Sequence, residues 1–260
     1  MGSYEFDAAS VLDESGQIEL TDRWTGLGSV NGGFMLALCV RALGQAVPFP
    51  DPIVASGFFL RPGTPGPARV TTSVLRQGRT TAFGQASLWQ EDREIVHVTA
   101  AFSDLDSGSR AAEVVFTDGE PPALPPPDDC SGVAAGTLPG ITIADRVECR
   151  IAELPGWLSG SPTGVPVTEF WMRFRDGREP DVWSLPLLVD AAAPAVLDLG
   201  TASTTVQLTV HVRARPASGW LACRASTRFV SGGYHEEDFE IWDCEGTLVA
   251  QSRQLALVLQ

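Results

Sequence analysis

The sequence repeats itself, and this internal duplication limits most strongly what the chain can fold into. Four features of the first part recur after 153 or 154 positions. They are the triplets 60–62 (LRP) and 214–216 (ARP), Gly78 and Gly232, Trp89 and Trp242, and the turns 90–96 (QEDREIV) and 243–249 (DCEGTLV). A constant separation across four features favours a duplicated structural unit over a chance match.

The first copy contains one predicted helix followed by a run of strands. A strand at 17–21 precedes the glycine-rich turn 26–33, and the apolar segment 34–47 is predicted to be a helix. Alternation and turn residues then predict four strands, at 53–60, 68–76, 82–90 and 94–104.

The second copy repeats this order. Strands at 141–151 and 168–176 lead to a helix predicted over 184–200, and four more strands follow at 204–214, 218–229, 235–243 and 247–259. An apolar helix and an antiparallel meander both bury an apolar face when the sheet curls around the helix. We therefore expect an α+β fold of two tandem helix-wrapped antiparallel sheets forming one pseudo-symmetric unit.

Residues 106–139 interrupt the duplication. They contain the run PPALPPP and then serine, glycine and alanine with little periodicity, which is typical of a proline-stiffened linker. We predict an N-terminal domain over 1–105, a Pro-rich linker over 106–139 and a C-terminal domain over 140–260.

Composition excludes several functions. All 18 basic residues are arginine, so Schiff-base, pyridoxal and phosphate-loop lysines are excluded. A net charge of −14 argues against binding to nucleic acid or to an anionic membrane, although a few local arginines could hold a small anion.

The sequence also favours a cytoplasmic protein. No apolar run reaches the roughly 18 residues of a membrane span, and the segment MGSYEFDAAS has neither the basic nor the apolar part of a signal peptide. The five cysteines are odd in number and scattered, which favours a reducing compartment.

Four stretches resemble the acyl-CoA thioesterase II family of the thioesterase-like superfamily. They are 31–43 (NGGFMLALCVRAL), 58–67 (FFLRPGTPGP), 74–79 (VLRQGR) and 246–257 (GTLVAQSRQLAL). The resemblance covers nearly the whole chain outside the linker and is nearest to actinobacterial-type members. It implies a double-hotdog fold, and hydrolysis of an acyl-CoA substrate by water without cofactor, metal or acyl-enzyme.

The resemblance also implies a catalytic trio. The family holds its water with Asp, Thr and Gln of the second hotdog, which match Asp190, Thr205 and Gln254. A slip of one residue to Thr204 stays open. The better-known members have a histidine where this chain has Ser56, which bears on substrate preference or rate and leaves the trio intact.

Each member of the trio has a simpler explanation as well. Asp190 lies in an apolar helix candidate, where a carboxylate needs partners or a purpose, but it could also lie on a solvated helix edge. Gln254 lies among small apolar residues, where its amide could simply bond to backbone. Threonine is common at strand starts, which is the plain reading of Thr205.

The duplication offers an independent test of the trio. In the first copy, the counterparts of Gln254, Asp190 and Thr205 are Ala101, Ala37 or Leu38, and Asp51 or Pro52. The first half therefore lacks the trio. A single active site in the duplicated unit would produce this difference, and so would ordinary divergence of the copies.

Two further groups are candidate substrate contacts. Asn31, Gly32 and Gly33 precede a helix, where free N–H groups could stabilise an oxyanion, although a turn and N-cap explain them equally well. Arg61, Arg76 and Arg79 could bind CoA phosphates, or could simply be solvated.

The missing motifs narrow the function further. There is no G-x-S-x-G elbow, and the three isolated histidines belong to no zinc motif; His235 and the acidic run 236–238 are predicted to form a polar strand face. Together with the family resemblance, this makes acyl-CoA thioesterase the leading prediction. A non-catalytic acyl-CoA or CoA-binding hotdog protein and a hotdog enoyl-CoA hydratase or dehydratase are the alternatives. Dimers are common for this architecture, so we expect a homo-oligomer.

Overall fold

The computed structural model describes residues 4–107 and 116–259, and over these residues its main element is one antiparallel sheet of thirteen strands. The first half contributes β1 (Gln17–Leu20), β4 (Asp51–Phe59), β5 (Gly66–Gln77), β6 (Ala82–Gln90) and β7 (Arg93–Ser103). A separate small ribbon consists of β2 (Thr25–Gly26) and β3 (Ser29–Val30).

The second half contributes the other strands of the large sheet. They are β8 (Ser131–Gly132), β9 (Val147–Ile151), β10 (Val167–Phe174), β11 (Ser203–Val212), β12 (Leu221–Ser226), β13 (Val230–Ser231), β14 (Tyr234–Trp242) and β15 (Leu248–Val258). The order is β1-β5-β6-β7-β4-β11-β15-β14-β12-β10-β9-β8, with β13 paired to β14. The α-helices are α1 (Glu5–Ala9), α2 (Gly32–Gly44) and α3 (Leu185–Leu188).

Helix α2 is the central element of the first half. Its residues from 33 to 40 are all buried, and the helix contacts strands β4 to β7. A helix that is apolar on every side is stable only where protein surrounds it. The Asn31 side chain begins the helix by accepting a hydrogen bond from the Phe34 N–H at 2.9 Å. The predicted helix and the sheet that covers it are confirmed in this half.

The two halves join through the antiparallel pair β4 and β11. Ser56 lies opposite Thr209, and their hydroxyls are 2.9 Å apart. These residues are 153 positions apart, which is also the separation of the duplicated features. A residue that faces its own counterpart marks a pseudo-two-fold axis, so the axis passes through this pair.

Bulges in the sheet repeat with the same separation. Ile53 in β4 and Val206 in β11 are left out of the strand register, and so are Ile95 in β7 and Val249 in β15. Bulges are specific features of a strand rather than random defects. Their recurrence at 153 and 154 positions shows that the halves share detailed backbone geometry.

The helix predicted over 184–200 is wrong in extent. Helix α3 covers only Leu185–Leu188, and a 3₁₀ helix over Ala195–Leu199 follows after a turn. Pro194 has ψ 141°, an extended conformation, and no N–H to continue a helix. The strand predicted over 141–151 is also shorter, since it begins at Val147 after a 3₁₀ helix over Thr142–Asp145.

Part of the predicted linker belongs to the sheet edge. Strand β8 pairs with β9, and the Trp171 indole N–H donates to the Pro125 carbonyl at 2.7 Å. The proposed domain boundaries remain a prediction, and residues 108–115 of the linker lie outside the described residues. No helix in the described ranges is long and apolar enough to cross a membrane.

Candidate active site

The candidate site lies where the start of α2 meets the end of α3. Gly33 makes this contact possible, because a Cβ there would lie 2.7 Å from the Asp190 Cβ and 2.9 Å from the Leu187 carbonyl oxygen. Such distances leave no room for a side chain. The close approach brings Asp190 of the second half to the N-terminus of the first half's helix.

Asp190 is held by three hydrogen bonds from the first half. Its Oδ2 accepts from the Gly33 N–H at 2.7 Å and from Asn31 Nδ2 at 3.0 Å, and Asn31 Nδ2 also donates to the Asp190 carbonyl at 2.8 Å. Burial raises the pKa of Asp190 to about 6, against the opposing effect of these donors. The carboxylate is therefore mostly ionised at neutral pH and is a stronger base than an ordinary aspartate.

A β-bulge directs Thr205 to the buried face of the sheet. Simple alternation with the buried Leu208 and Val210 would point Thr205 to the other side of the sheet. The extra residue Val206 reverses this alternation and places Thr205 opposite Ala256, on the buried face. Thr205 Oγ1 then donates to Gln254 Oε1 at 2.8 Å, so Thr205 rather than its neighbour makes this contact.

Gln254 connects Thr205 to a buried acid. Gln254 is 7% exposed, and its Nε2 donates to Glu237 Oε1 at 3.0 Å. Glu237 is 5% exposed, and its Oε2 accepts from the Ala195 N–H at 2.6 Å. Burial, together with a smaller contribution from the nearby Asp190 charge, raises the pKa of Glu237 to about 8, against the opposing effect of the Ala195 and Gln254 donors. The chain Thr205–Gln254–Glu237 therefore ends at an acid on which the charge of Asp190 acts.

Sequence reasoning missed Glu237, because it treated 236–238 as a polar strand face. Glu236 and Asp238 do contact polar partners near the surface: Glu236 accepts from the Arg228 N–H, and Asp238 pairs with Arg253. Glu237 lies instead on the same side of β14 as the buried Phe239. The two-residue spacing from Phe239 was the signal that could have found it.

The oxyanion candidates are only partly available. Asn31 and Gly33 already hold Asp190 through their side-chain amide and N–H. The Gly32 N–H has no acceptor among the residues that the structure describes. A Cβ on Gly32 would lie 3.1 Å from both the Asp190 Oδ2 and the Phe59 ring. The oxyanion role remains a prediction, and the geometry narrows it to Gly32.

Ser56 belongs to a polar cluster on the joint between the halves. Besides its contact with Thr209, its Oγ lies 2.9 Å from Gln207 Nε2. Gln207 Nε2 also donates to Thr209 Oγ1 at 2.6 Å. Ser56 therefore has two polar partners in the joint between the halves.

The three candidate CoA arginines are not brought together. Arg61 follows β4 at the end near Phe59, and its Nη1 donates to the Glu94 carbonyl at 2.8 Å. Arg76 lies level with Val54 through the strand pairings, on the order of 17 Å along the sheet from Phe59. Arg79 lies beyond it in the β5–β6 turn, so only Arg61 is at the site end.

Comparison with known proteins identifies the family. Residues 20–103 match the acyl-CoA thioesterase N-terminal domain, and residues 120–258 match the acyl-CoA thioesterase C-terminal domain. The chain belongs to this acyl-CoA thioesterase family.

Individual proteins are similar to this chain over almost its whole length. A candidate thioesterase II from Thermobifida fusca is 31% identical with a TM-score of 0.89, over 100% of this chain and 99% of that one. An uncharacterized protein of Mycobacterium tuberculosis is 30% identical over 277 residues, covering 92% of this chain and 89% of its own. A hotdog-fold protein from Alicyclobacillus acidocaldarius, 22% identical with a TM-score of 0.87 over 100% and 99% of the two chains, supports the fold alone.

Proposed function

We propose that the protein hydrolyses acyl-CoA thioesters with a water molecule held by Asp190, Thr205 and Gln254. The observation that carries this proposal is the position of Asp190. Its carboxylate, with a pKa raised by burial to about 6, lies at the start of α2, and its charge acts on Glu237, which is linked through Gln254 to Thr205. A base with a pKa just below neutral pH is ionised and still accepts a proton effectively.

The proposed reaction needs only these side chains and water. The water donates one hydrogen to Asp190 and the other to Thr205 Oγ1, and its free lone pair attacks the thioester carbonyl carbon. Asp190 takes the proton as the tetrahedral intermediate forms, and the Gly32 N–H stabilises the oxyanion. The C–S bond then breaks, and the leaving CoA thiolate receives the proton from Asp190, which gives a carboxylic acid and a free thiol.

For CoA recognition we propose the open groove beside Arg61. The groove has a volume of about 790 Å³, and Arg69, Arg93 and Trp89 also line it. Arginine is suited to phosphate because of its bidentate donors. On a chain of net charge −14, such a local group is the means by which an anionic ligand is held. Arg76 and Arg79 are too far along the sheet to bind the same phosphate as Arg61.

We also propose that the protein acts in the cytoplasm as a homodimer. All five cysteines of the chain are free thiols in the structure, which suits a reducing compartment. Dimers are common among proteins of this architecture, and sedimentation of the purified protein would measure the assembly.

The deciding experiment is thiol release from a panel of acyl-CoA substrates of different chain length. We expect wild-type protein to release CoA, and Asp190→Asn to lower kcat by about 10³-fold while it keeps its melting temperature. Asp198→Asn is a matched control, because Asp198 is also buried in the same connection and accepts from the Thr163 N–H. Hydrolysis by Asp190→Asn at the wild-type rate would contradict the proposed site.

The same assay separates the alternative functions. Thermal stabilisation by CoA without thiol release would identify a non-catalytic binding protein. A change in absorbance on addition of crotonyl-CoA, without thiol release, would identify a hydratase.

A further inference from the structure

We propose that Glu237 is a positioning residue, which fixes the direction of the hydrogen-bond chain that orients the attacking water. This inference rests on the proposed hydrolysis and adds a residue to it. Glu237 touches neither water nor substrate in this scheme, since it acts through Gln254 and Thr205.

Two hydrogen-bond donors reach Glu237. One carboxylate oxygen accepts from Gln254 Nε2 at 3.0 Å, and the other accepts from the Ala195 N–H at 2.6 Å. An ionised carboxyl can only accept hydrogen bonds. Gln254 must therefore turn its NH₂ group toward Glu237, which leaves its carbonyl oxygen facing Thr205.

The orientation of the Gln254 amide also fixes which way the Thr205 hydroxyl donates. Its hydroxyl donates to Gln254 Oε1 at 2.8 Å, so the single hydroxyl proton is already used. Only the lone pairs of Oγ1 remain for the water, which must donate to them. The water then donates one hydrogen to Thr205 and one to Asp190, and its own lone pair is free for the attack.

A neutral Glu237 would permit the opposite direction. Its O–H could donate to Gln254 Oε1, and the turned amide would donate to Thr205 Oγ1. The Thr205 hydroxyl would then donate to one of the two lone pairs of the water, which withdraws electron density from the attacking oxygen and makes the water a weaker nucleophile. The ionised form of Glu237 is therefore the one that favours hydrolysis.

The surroundings of Glu237 make this state sensitive to pH. The Asp190 charge faces it from the segment after α3, and Asp238 is next to it on β14. His235 lies two residues away on the same buried side, and no arginine pairs with Glu237 among the described residues. Burial raises the pKa of Glu237 to about 8, so its ionised fraction increases between pH 7 and pH 9.

The test is Glu237→Gln, which keeps the side-chain size. To accept from the Ala195 N–H, the new amide must present its oxygen there and its NH₂ group to Gln254. Gln254 must then turn, which reverses the chain. We expect kcat for acyl-CoA hydrolysis to fall at least tenfold, KM to change less than threefold and the melting temperature to be retained.

The pH profile distinguishes positioning from a merely structural role. Wild-type kcat should rise through two ionisations, one near pH 6 from Asp190 and one near pH 8 from Glu237. Glu237→Gln should lose only the upper step. Glu236→Gln, on the same strand with its carboxyl bonded near the surface, should keep both steps and the wild-type rate.

Two results would overturn the role of Glu237. They are a wild-type kcat in Glu237→Gln, and an upper step that persists in this variant. Either result leaves the proposed function intact when Asp190→Asn is inactive. Absence of hydrolysis by wild-type protein would instead remove the proposed function, and this inference with it.

Discussion

The two halves differ in what packs against their equivalent strands, β6 in the first half and β14 in the second. In the first half α2 continues to Gly44, and Leu43 lies so close to β6 that a Cβ on Gly84 would be 2.7 Å from its Cδ2. The counterpart of Gly84, 153 positions later, is Glu237. There the helix has already ended, and the Ala195 N–H contacts the strand in place of a leucine.

The difference shows that the short helix and the buried acid belong together. Ending the helix early opens space over β14 and leaves a backbone N–H without a helical partner. Glu237 fills the space and accepts from that N–H. A buried polar group costs several kcal/mol only when it lacks a partner. The Ala195 N–H and the Glu237 carboxyl are each other's partners, so each removes the cost of burying the other. In the first half, the equivalent space is filled by the apolar side chain of Leu43.

The largest expected effect comes from placing a glutamate at Gly84, the position of the first half that is equivalent to Glu237. Gly84→Glu would bury a carboxylate against Leu43 with no N–H to receive it, and we expect a loss of more than about 4 kcal/mol in the free energy of unfolding. Urea denaturation measures this. Gln85→Glu, the next residue and only partly buried, is the control and should change stability by less than about 0.5 kcal/mol. Wild-type stability in Gly84→Glu would show that the halves do not differ as described.

An intermediate effect concerns stability against pH. Folding raises the pKa of Asp190 from 3.8 to about 6 and that of Glu237 from 4.5 to about 8. An acid whose pKa is raised by folding contributes stability below its unfolded pKa and loses it as pH rises through the folded value. We therefore expect stability to fall by several kcal/mol between pH 4 and pH 8, since each pKa unit corresponds to about 1.4 kcal/mol.

The double variant Asp190→Asn with Glu237→Gln should flatten this curve, since it removes both ionisations from the second half. Urea titrations at intervals of one pH unit measure the slope. Carboxyls whose pKa is lowered by arginine, such as Glu5 beside Arg23, affect stability only in the acid range. An equally steep curve in the double variant would contradict the assignment of the slope to the second half.

The smallest expected effect concerns the joint between the halves, where β4 pairs with β11 and Ser56 lies opposite its counterpart Thr209. Ser56→Ala and Thr209→Val should each cost about 1 kcal/mol, because each removes a hydroxyl that bonds the other hydroxyl and Gln207. The double variant should cost less than the sum, since the shared bond is lost only once. Strictly additive losses would show that the two hydroxyls do not interact.

Sequence reasoning predicted the sheet well because strands carry local signals. The predicted strand 82–90 has the observed bounds, and the 90–94 turn forms a hairpin in which Glu91 and Asp92 have positive φ values of 47° and 61°. Such values are those of the two central residues of a tight hairpin turn. Alternation and turn residues are both visible in a short window of sequence.

The second helix failed because its apolar run suggests a helix to beyond Pro194. The helix ends at Leu188, and the Ala195 N–H after Pro194 finds its acceptor, Glu237, on another strand. Thr205 was placed by the resemblance, whereas the bulge that turns it inward depends on strand register. Contacts between distant strands decide these features, and no local pattern reports them.

The repeated bulges have a consequence for how such a chain could arise by gene duplication. An assembly of two identical subunits obeys its symmetry, so every substitution enters both subunits at once. A shortened helix would then weaken both cores together. Fusion into one chain removes this constraint, because mutation can alter one copy while selection preserves the other. The bulges are shared by both halves and reflect their common origin. The early end of α3 occurs in one half, and such a one-sided change is possible because the two copies are fused in one chain.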